Sequence, residues 1–576
     1  MTVDAPQQDQ RQILSRIGFL EGDALTRARV LLDPGTARVL CGPFDRLESP
    51  WLEPQGVVPQ ADDGVVIARG NIGGRPAVIA SIEQGFQGGG IGEVSGAKIS
   101  QALLLAADAC RAGTPTAAVL LLETGGVRLQ EANLGLNAVA EICSAILDLR
   151  RLAPVIGVVA GEVGCYGGTS IAAGLCTRLI VTPQGRLSLN GAAAIEQEHG
   201  VEEFDSSDRA LIWSMEGGEQ RVAIALADEL VPDDADRLRA AVCAAISAGA
   251  APAGSHRSER VDVLASRLSV LDPSAAPTPQ DLRRLWGPRY EPVGHPAQSG
   301  STVEATATGP SRGRTWLTAL AATEPTAVIG SVITADTAEA TYLAVVPDPD
   351  NRFPRARSGE VGLTESWALA DAIGRVIDQN AHADTKPAIV AVVDLPSQAY
   401  GRIEEMAGEH QAIATAVDAY HRARNAGHPI VAIVAGTALS GGFLAHGLQA
   451  QQILALDDPG VEIHAMHKAA AARITLRTVD ELEKLGQTIL PLSYHVRDWA
   501  QLGFCDGLLA VSDADAPTPD DVAAVRDALR AAINNARTGP WDLSNRLDSA
   551  GAIQNRKASR IIRDTLAAQW RDSDPT

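Results

Sequence analysis

The chain has 576 residues, of which 45% are hydrophobic and 21% charged, enough apolar material for a large core. A formal net charge of -21 argues against nonspecific nucleic-acid binding. The seven cysteines are scattered, odd in number and never in a CxxC pair, so neither a disulfide framework nor a zinc ribbon is indicated.

No apolar run reaches the roughly 18 residues a bilayer span needs. The opening MTVDAPQQDQ lacks the cationic and apolar regions of a signal peptide, so a cytoplasmic protein with no membrane partner is expected. In chain order, helices are expected over Asp9–Ile17 and about Ala24–Leu32, with a stop at Asp33-Pro34-Gly35. Gly73-Gly74 marks a hairpin between VVIARGNI and RPAVIASIE. A glycine-rich loop, Gly85 to Gly92, precedes a long amphipathic helix from about Gly96 to Ala112. The apolar strand AAVLLLETGG ends at Glu123 and the pair Gly125-Gly126, and a helix over Leu134–Leu149 follows. Next come a buried strand, Pro154 to Ala160, a helix opening near Gly167-Gly168, the strand TRLIVT, a helix over Gln220–Leu230 and a helix over about 232–248. Helices alternating with strands apolar on both faces are the pattern of βαβ units. From Gly249 to roughly Pro310 the composition shifts to Pro, Ser, Ala and Thr, with HPAQSGSTVEATATGPS the clearest linker.

The chain repeats itself across that boundary. GEVSGAK from Gly92 is echoed by GEVGLTE from Gly359, and AAVLLLETGGVRLQEA by AIVAVVDLPSQAYGRIEE, aligning Arg128 with Arg402 and Glu131 with Glu405. PVIGVVAGEVGCYGG returns as PIVAIVAGTALSGG, with Ala-Gly pairs at 160-161 and 435-436 and glycine pairs at 167-168 and 441-442. Adjacent glycines let a ligand approach the backbone, and the first amides of the helix that follows have no intrahelical acceptor. Taken alone, a turn of this kind reads more often as packing or turn geometry than as an oxyanion or anion site; its repetition favours the site. The run Gly88-Gly89-Gly90-Ile91-Gly92 precedes a helix without the acidic residue of a dinucleotide fold in its setting. With no HxxxH or HExxH pair, no metal is expected. Arg352, Arg355 and Arg357 form a local basic cluster, read equally as a solvated loop or as an anionic-ligand contact.

DDGVVIARGNIGGRPAVIAS, QGGGIGEVSGAKI, ETGGVRLQEA and VGCYGGTS resemble the carboxyltransferase β-type members of the crotonase superfamily. ETGGVRLQEANLGLNAV, NGAAAIEQEHGVEEFDSSDR and VVPDPDNRFPRARSGEVGLTESW are similar to the β and γ subunits of biotin-independent malonate decarboxylase, here fused. The resemblance implies an α/β protein with two crotonase-like, carboxyltransferase-type ββα-superhelix domains in tandem. Residues 1–248 would be the β-type domain, 249–310 a linker and boundary region, and 311–576 the γ-type domain. No four-cysteine zinc ribbon precedes Asp62, and Ala465-Met466-His467-Lys468, the nearest approach to a biotin acceptor, lies in the catalytic fold, so the chain does not carry its own biotin.

The reaction implied is decarboxylation of a malonyl thioester on an acyl carrier protein through a thioester enolate. No covalently bound cofactor is implied; the acyl group rides on the carrier's phosphopantetheine-type arm. Gly125-Gly126 and Gly167-Gly168 would each supply one amide to the enolate oxygen, while Gly441-Gly442 with the turn from Ser397 to Gly401 would form a second set for the departing carboxylate. Gly89 and Gly90 are expected in a flexible loop beside the arm, and Arg128 among the substrate contacts, although its pairing with Glu131, like that of Arg402 with Glu405, reads mainly as a structural ion pair. Tyr166, Cys165, Glu131 and His199 are candidate proton donors; Tyr166 is preferred because it adjoins the amides. Expected partners are the acyl carrier protein, docking on Arg352, Arg355 and Arg357, and an acetyl/malonyl transferase subunit, with homo-oligomers also open. Two alternatives stand beside this reading: a biotin-dependent acyl-CoA carboxyltransferase and a noncatalytic scaffold that docks a carrier protein.

Overall fold

The computed structural model describes residues 17–294 and 311–572. All but Ile17 of the helix expected over Asp9–Ile17, and nearly all of the stretch HPAQSGSTVEATATGPS, lie outside the described residues. In the first half, β1 (Arg38–Leu40), β2 (Val65–Ile72), β3 (Arg75–Ile82), β4 (Ala117–Leu121), β5 (Val155–Val159), β6 (Arg178–Val181) and β7 (Glu229–Leu230) form one seven-stranded sheet in chain order. The first three strands are antiparallel, because Gly73 and Gly74, at φ +59° and +76°, allow the tight hairpin between β2 and β3. The remaining pairs are parallel and require crossovers. These are α1 (Glu93–Arg111), α2 (Ala132–Arg150) and α3 (Gly168–Leu175), followed by α4 (Arg209–Glu216) in the longer excursion to β7. Every residue of β4 and β5 is buried, as in strands covered on both faces.

The second half repeats this plan. β8 (Thr326–Ile329), β9 (Val332–Asp336) and β10 (Ala340–Val345) are antiparallel; β11 (Ala388–Leu395), β12 (Ile430–Leu439), β13 (Gln452–Leu456) and β15 (Gly507–Leu509) continue in parallel, and the short β14 (Ile463–His464) pairs with β12. Its crossovers include α5 (Leu363–Gln379), α6 (Glu409–Asn425) and α7 (Ser440–Ala445), and the last described element is α8 (Lys557–Arg571). The duplication read from the sequence is thus a duplication of topology, and the tandem carboxyltransferase-type α/β architecture is the one observed.

Three segments differ from expectation. Only Gly218–Ala223 is helical in the span 220–230, since Ala225 turns the chain at φ +57° and Glu229–Leu230 closes the sheet. Part of the expected linker is folded: helices Val261–Ser269 and Pro279–Trp286 bury Leu264, Leu268, Leu282 and Trp286 in one cluster with Phe353, Leu363 and Met406 of the second half. Leu129–Arg150, which includes α2, is apolar enough to cross a membrane by length and composition, but 94% of its most apolar window is buried in the protein, which makes it a core helix.

The halves share one apolar core. Arg150 of α2 reaches Asp418 of α6 at 2.6 Å, both side chains buried, and Asn133 donates to the Ser493 carbonyl at 2.8 Å. The C-terminal α8 returns to the first half as a strap: Ile562 packs on Val94 and Ala97, while Arg556 and Arg563 both pair with Glu141 of α2. Replacing Glu141 by Ala leaves those two guanidinium groups buried without their carboxylate, a loss of about 3–5 kcal/mol. The expected result is a lower apparent Tm by calorimetry and earlier proteolysis of the C-terminal helix; an unchanged Tm would show that apolar contacts alone hold the strap.

Candidate active site

The central turn is built at the end of β5. Glu123, just past β4, accepts the N–H groups of Val163 and Gly164 and so anchors the loop that leaves β5. The chain then reaches Gly167 at φ +60° and ψ -153°, a conformation open essentially to glycine alone. A Cβ there would stand 2.8 Å from the Gly126 Cα, so the two glycine turns of the first half touch backbone to backbone. Gly167 donates to the Leu189 carbonyl at 2.9 Å. The next amide, Gly168, opens α3 and has no acceptor among the described residues. In the neighbouring turn Gly125 donates to Gly88 O at 2.9 Å and Gly126 to Thr124 Oγ1 at 3.0 Å, so neither amide of the pair expected to supply one donor is open. The following amide, Val127, has no acceptor among the described residues, and its nitrogen lies 3.7 Å from where a Gly167 Cβ would stand. Val127 and Gly168 therefore present two open N–H groups close together.

Both residues line a cavity of about 310 Å³ between the halves. Gly125, Val127, Tyr166, Gly167, Gly168 and Asn190 line it from the first half. Gln398, Tyr400, Ser440, Gly441 and Met466 line it from the second. Instead of building a separate second site, the two related turns face each other across one space. The pairing is also shifted by one residue. Ser440, at φ +55°, takes the place of Gly167, and Gly441 lines the wall; Gly442 is packed behind it, with a Cβ position 2.6 Å from Ser397 O. Gly441 donates to Gln398 Oε1 at 2.8 Å, so in this turn a side chain occupies the donor that its counterpart leaves open. Among the described residues, no charged side chain lines the cavity.

Of the four candidate proton donors, only Tyr166 reaches the wall. Its Oη lies 2.8 Å from Glu216 Oε2 at the end of α4, and burial together with the Glu216 charge holds the phenol well above its ordinary pKa. Glu216 is itself fully buried, and burial followed by the charge of Glu405 pushes it up to about 7. Cys165 is buried behind the wall with its thiol raised by burial. Glu131 is held in an ion cluster in which Arg128 bonds both Asp63 and Glu131 at 2.7 Å and Ser49 donates to the Glu131 carboxylate. His199 lies 3.2 Å from Arg355, outside the cavity. Tyr400, which the sequence reading did not single out, lines the cavity with its phenol raised by burial to about 12.

The residues expected to contact substrate are elsewhere. Gly89 and Gly90 are buried supports: a Cβ on Gly89 would stand 2.1 Å from Glu123 O, and the loop is tied to the 125–128 turn through Gly88 and Ile91. Arg128 lies in its ion cluster, 4.9 Å above the Phe86 ring. The Ser397 hydroxyl donates to Gln398 O, and Gly401 abuts the Glu404 carboxylate. None of these five lines the cavity. The basic cluster is engaged in the fold: Arg352 donates to the Leu268 and Leu271 carbonyls, Arg355 pairs with Glu203 at 2.6 Å, and Arg357 donates to Asn351 O at 2.8 Å. Glu405 does not pair with Arg402; it accepts the Ser188 hydroxyl and the N–H groups of Leu189 and Asn190, all from the first half.

A family profile described as "Carboxyl transferase domain" matches residues 24–242, and one described as "Malonate decarboxylase gamma subunit" matches residues 356–570. Over 225 residues the chain is 42% identical to the malonyl-S-ACP:biotin-protein carboxyltransferase MADC of Malonomonas rubra, covering 37% of this chain and 71% of that protein. Over 223 residues it is 33% identical to MADD of the same organism, covering 38% of this chain and 74% of that protein. A chain of a Pseudomonas malonate decarboxylase hetero-tetramer, solved in complex with malonate, is 56% identical, with 48% of this chain and 99% of that one covered and a TM-score of 0.47. With one such unit in each half, the chain belongs to the malonate decarboxylase family of carboxyltransferase-type proteins and carries both units in a single polypeptide.

Proposed function

We propose that the chain decarboxylates a malonyl thioester carried by an acyl carrier protein, yielding the acetyl thioester and carbon dioxide, as the catalytic component of a cytoplasmic malonate decarboxylase assembly. The observation that carries this reading is the cavity between the halves, which offers two open amides and a wall without charge. Breaking the bond between the α-carbon and the carboxylate leaves an electron pair that delocalises into the thioester as an enolate. Donors fixed in advance at the developing oxyanion cost no reorganisation, and Val127 and Gly168 are placed to serve as those donors. The uncharged wall acts on the other end of the substrate: a carboxylate held there loses water without gaining a counter-ion, whereas the transition state spreads its charge. The α-carbon then takes a proton from Tyr166.

The substrate thioester arrives on the phosphopantetheine-type arm of the carrier, and a separate transferase subunit exchanges acetyl for malonyl on it. Support for this carrier comes from the relatives MADC and MADD, whose names specify malonyl-S-ACP. The same names favour a second reading, in which the carboxyl group passes to a biotin protein. Purified chain given malonyl-loaded carrier protein is expected to release carbon dioxide at a rate unaffected by avidin. Carboxyl transfer seen only when a biotinylated acceptor is supplied would establish the second reading instead.

The open amide can be removed with little change to the backbone, because proline is well suited to the first position of a helix. A Cβ at Gly168 meets Val139 Cγ1 at 2.8 Å and Leu444 Cδ1 at 2.9 Å, so Gly168→Ala reproduces that crowding while keeping the N–H. Gly168→Pro is expected to lower kcat about 10²- to 10³-fold below Gly168→Ala, the usual loss for one oxyanion donor. Equal rates in the two variants would remove Gly168 from the oxyanion site.

A further inference from the structure

Behind Tyr166 the fold keeps an acid that the oxyanion chemistry does not use. Glu216 is fully buried; one of its carboxyl oxygens lies 2.8 Å from the Tyr166 hydroxyl, and the other has no hydrogen-bond partner. The charged groups around it do not neutralise it. Arg221 directs its guanidinium to the Leu187, Glu405 and Met406 carbonyls, Arg186 donates to the Glu162 and Val163 carbonyls, and Glu405 adds like charge. An ionised carboxylate with an orphaned oxygen and no bonded cation is costly in such a place, and the neutral acid is not. Among the described residues, the hydrogen-bond partner of the Glu216 carboxyl is Tyr166, which lines the cavity.

We propose that Glu216 is the proton reservoir for the decarboxylation, acting through Tyr166 as a two-member relay. This rests on the decarboxylase reading above. When the carboxylate leaves as carbon dioxide, the α-carbon of the enolate forms a bond to the Tyr166 proton. The Tyr166 oxygen takes the Glu216 proton in the same step or the next, and the resulting carboxylate is reprotonated from water before the following turnover. One proton is consumed per carbon dioxide released, which balances the conversion of a malonyl to an acetyl thioester. Neutral Glu216 donates to Tyr166 and leaves the phenol proton free for the cavity; ionised Glu216 accepts that proton and withdraws it. Because Glu216 titrates near 7, the competent form is present below that pH and lost above it.

The test compares wild type, Glu216→Gln, Tyr166→Phe and the double variant in carbon dioxide release and in deuterium uptake from heavy water into the acetyl thioester. Glutamine keeps the shape and a donor toward Tyr166 but has no proton to transfer. Each single variant is expected to lose about 100-fold or more in kcat, a typical general-acid contribution, with KM unchanged. The double variant should be no slower than the slower single one. Wild-type kcat should fall as pH rises through about 7, and that limb should vanish in Glu216→Gln. A Glu216→Gln enzyme with wild-type kcat and the same alkaline limb overturns the relay, as does full activity in Tyr166→Phe. Carbon dioxide release by the wild type tests the decarboxylase reading separately. If it is absent, deuterium exchange into the acetyl thioester still reports enolate protonation: loss in Glu216→Gln sustains the relay, and absence of exchange in the wild type overturns it. Should Glu216→Gln fail to fold, Tyr166→Phe decides by the same readouts.

Discussion

The site hangs on one buried carboxylate. Glu405 belongs to the second half, yet its acceptors are filled by Ser188, Leu189 and Asn190 of the first. The segment it holds does two things. The Leu189 carbonyl takes the Gly167 N–H, which fixes the turn at φ +60° and leaves Gly168 as the open donor. Asn190 Oδ1 accepts Gln398 Nε2, and Gln398 Oε1 in turn accepts the Gly441 N–H of the opposing turn. Both turns are therefore positioned through the same few bonds, and burial leaves those bonds no competition from water.

Duplication normally yields two equivalent sites, and here it yields one. The turns descend from the same strand-to-helix pattern, but one leaves its donor open and the other fills it with Gln398. In the first half the fixed positive φ falls on Gly167; in the second it falls on Ser440, whose hydroxyl bonds the Ala465 carbonyl at 2.5 Å and helps hold the strained residue. The second turn has become a wall for the first. A protein of net charge -21 thus encloses a cavity lined without charge, and the electrostatic work inside falls to backbone dipoles.

How much of this the sequence disclosed follows from the range of the forces involved. Strand and helix positions, the Gly73-Gly74 hairpin and the repeat were legible because hydrophobic period and glycine punctuation are local. Gly167 and Gly168 were legible for the same reason. Ser440 was not, since serine carries no mark of a positive φ and the glycines beside it drew the register one residue too far. Glu216 was hidden among 70 acidic residues, because only tertiary burial separates it from solvated ones, and Glu405, which the repeat did mark, was given to Arg402 because its partners Ser188, Leu189 and Asn190 lie far away in the chain. The arginines at 352, 355 and 357 failed in the opposite sense: a cluster that looks free in sequence is bonded to carbonyls and to Glu203 in the fold. That the two glycine turns share a cavity could not be read at all, for it depends on how two halves some 270 residues apart face one another.

That facing gives the single polypeptide its physical logic. The open amides lie in the first half, but the wall that shields them from water is largely Gln398, Tyr400, Ser440 and Gly441 of the second. If the halves separated, a carboxylate held against that wall would regain its hydration, and the destabilisation that favours loss of carbon dioxide would go with it. A covalent connection makes the meeting of the halves intramolecular, so it does not depend on protein concentration. The buried pairs Arg150–Asp418 and Arg556–Glu141 then fix the geometry in which the cavity is closed.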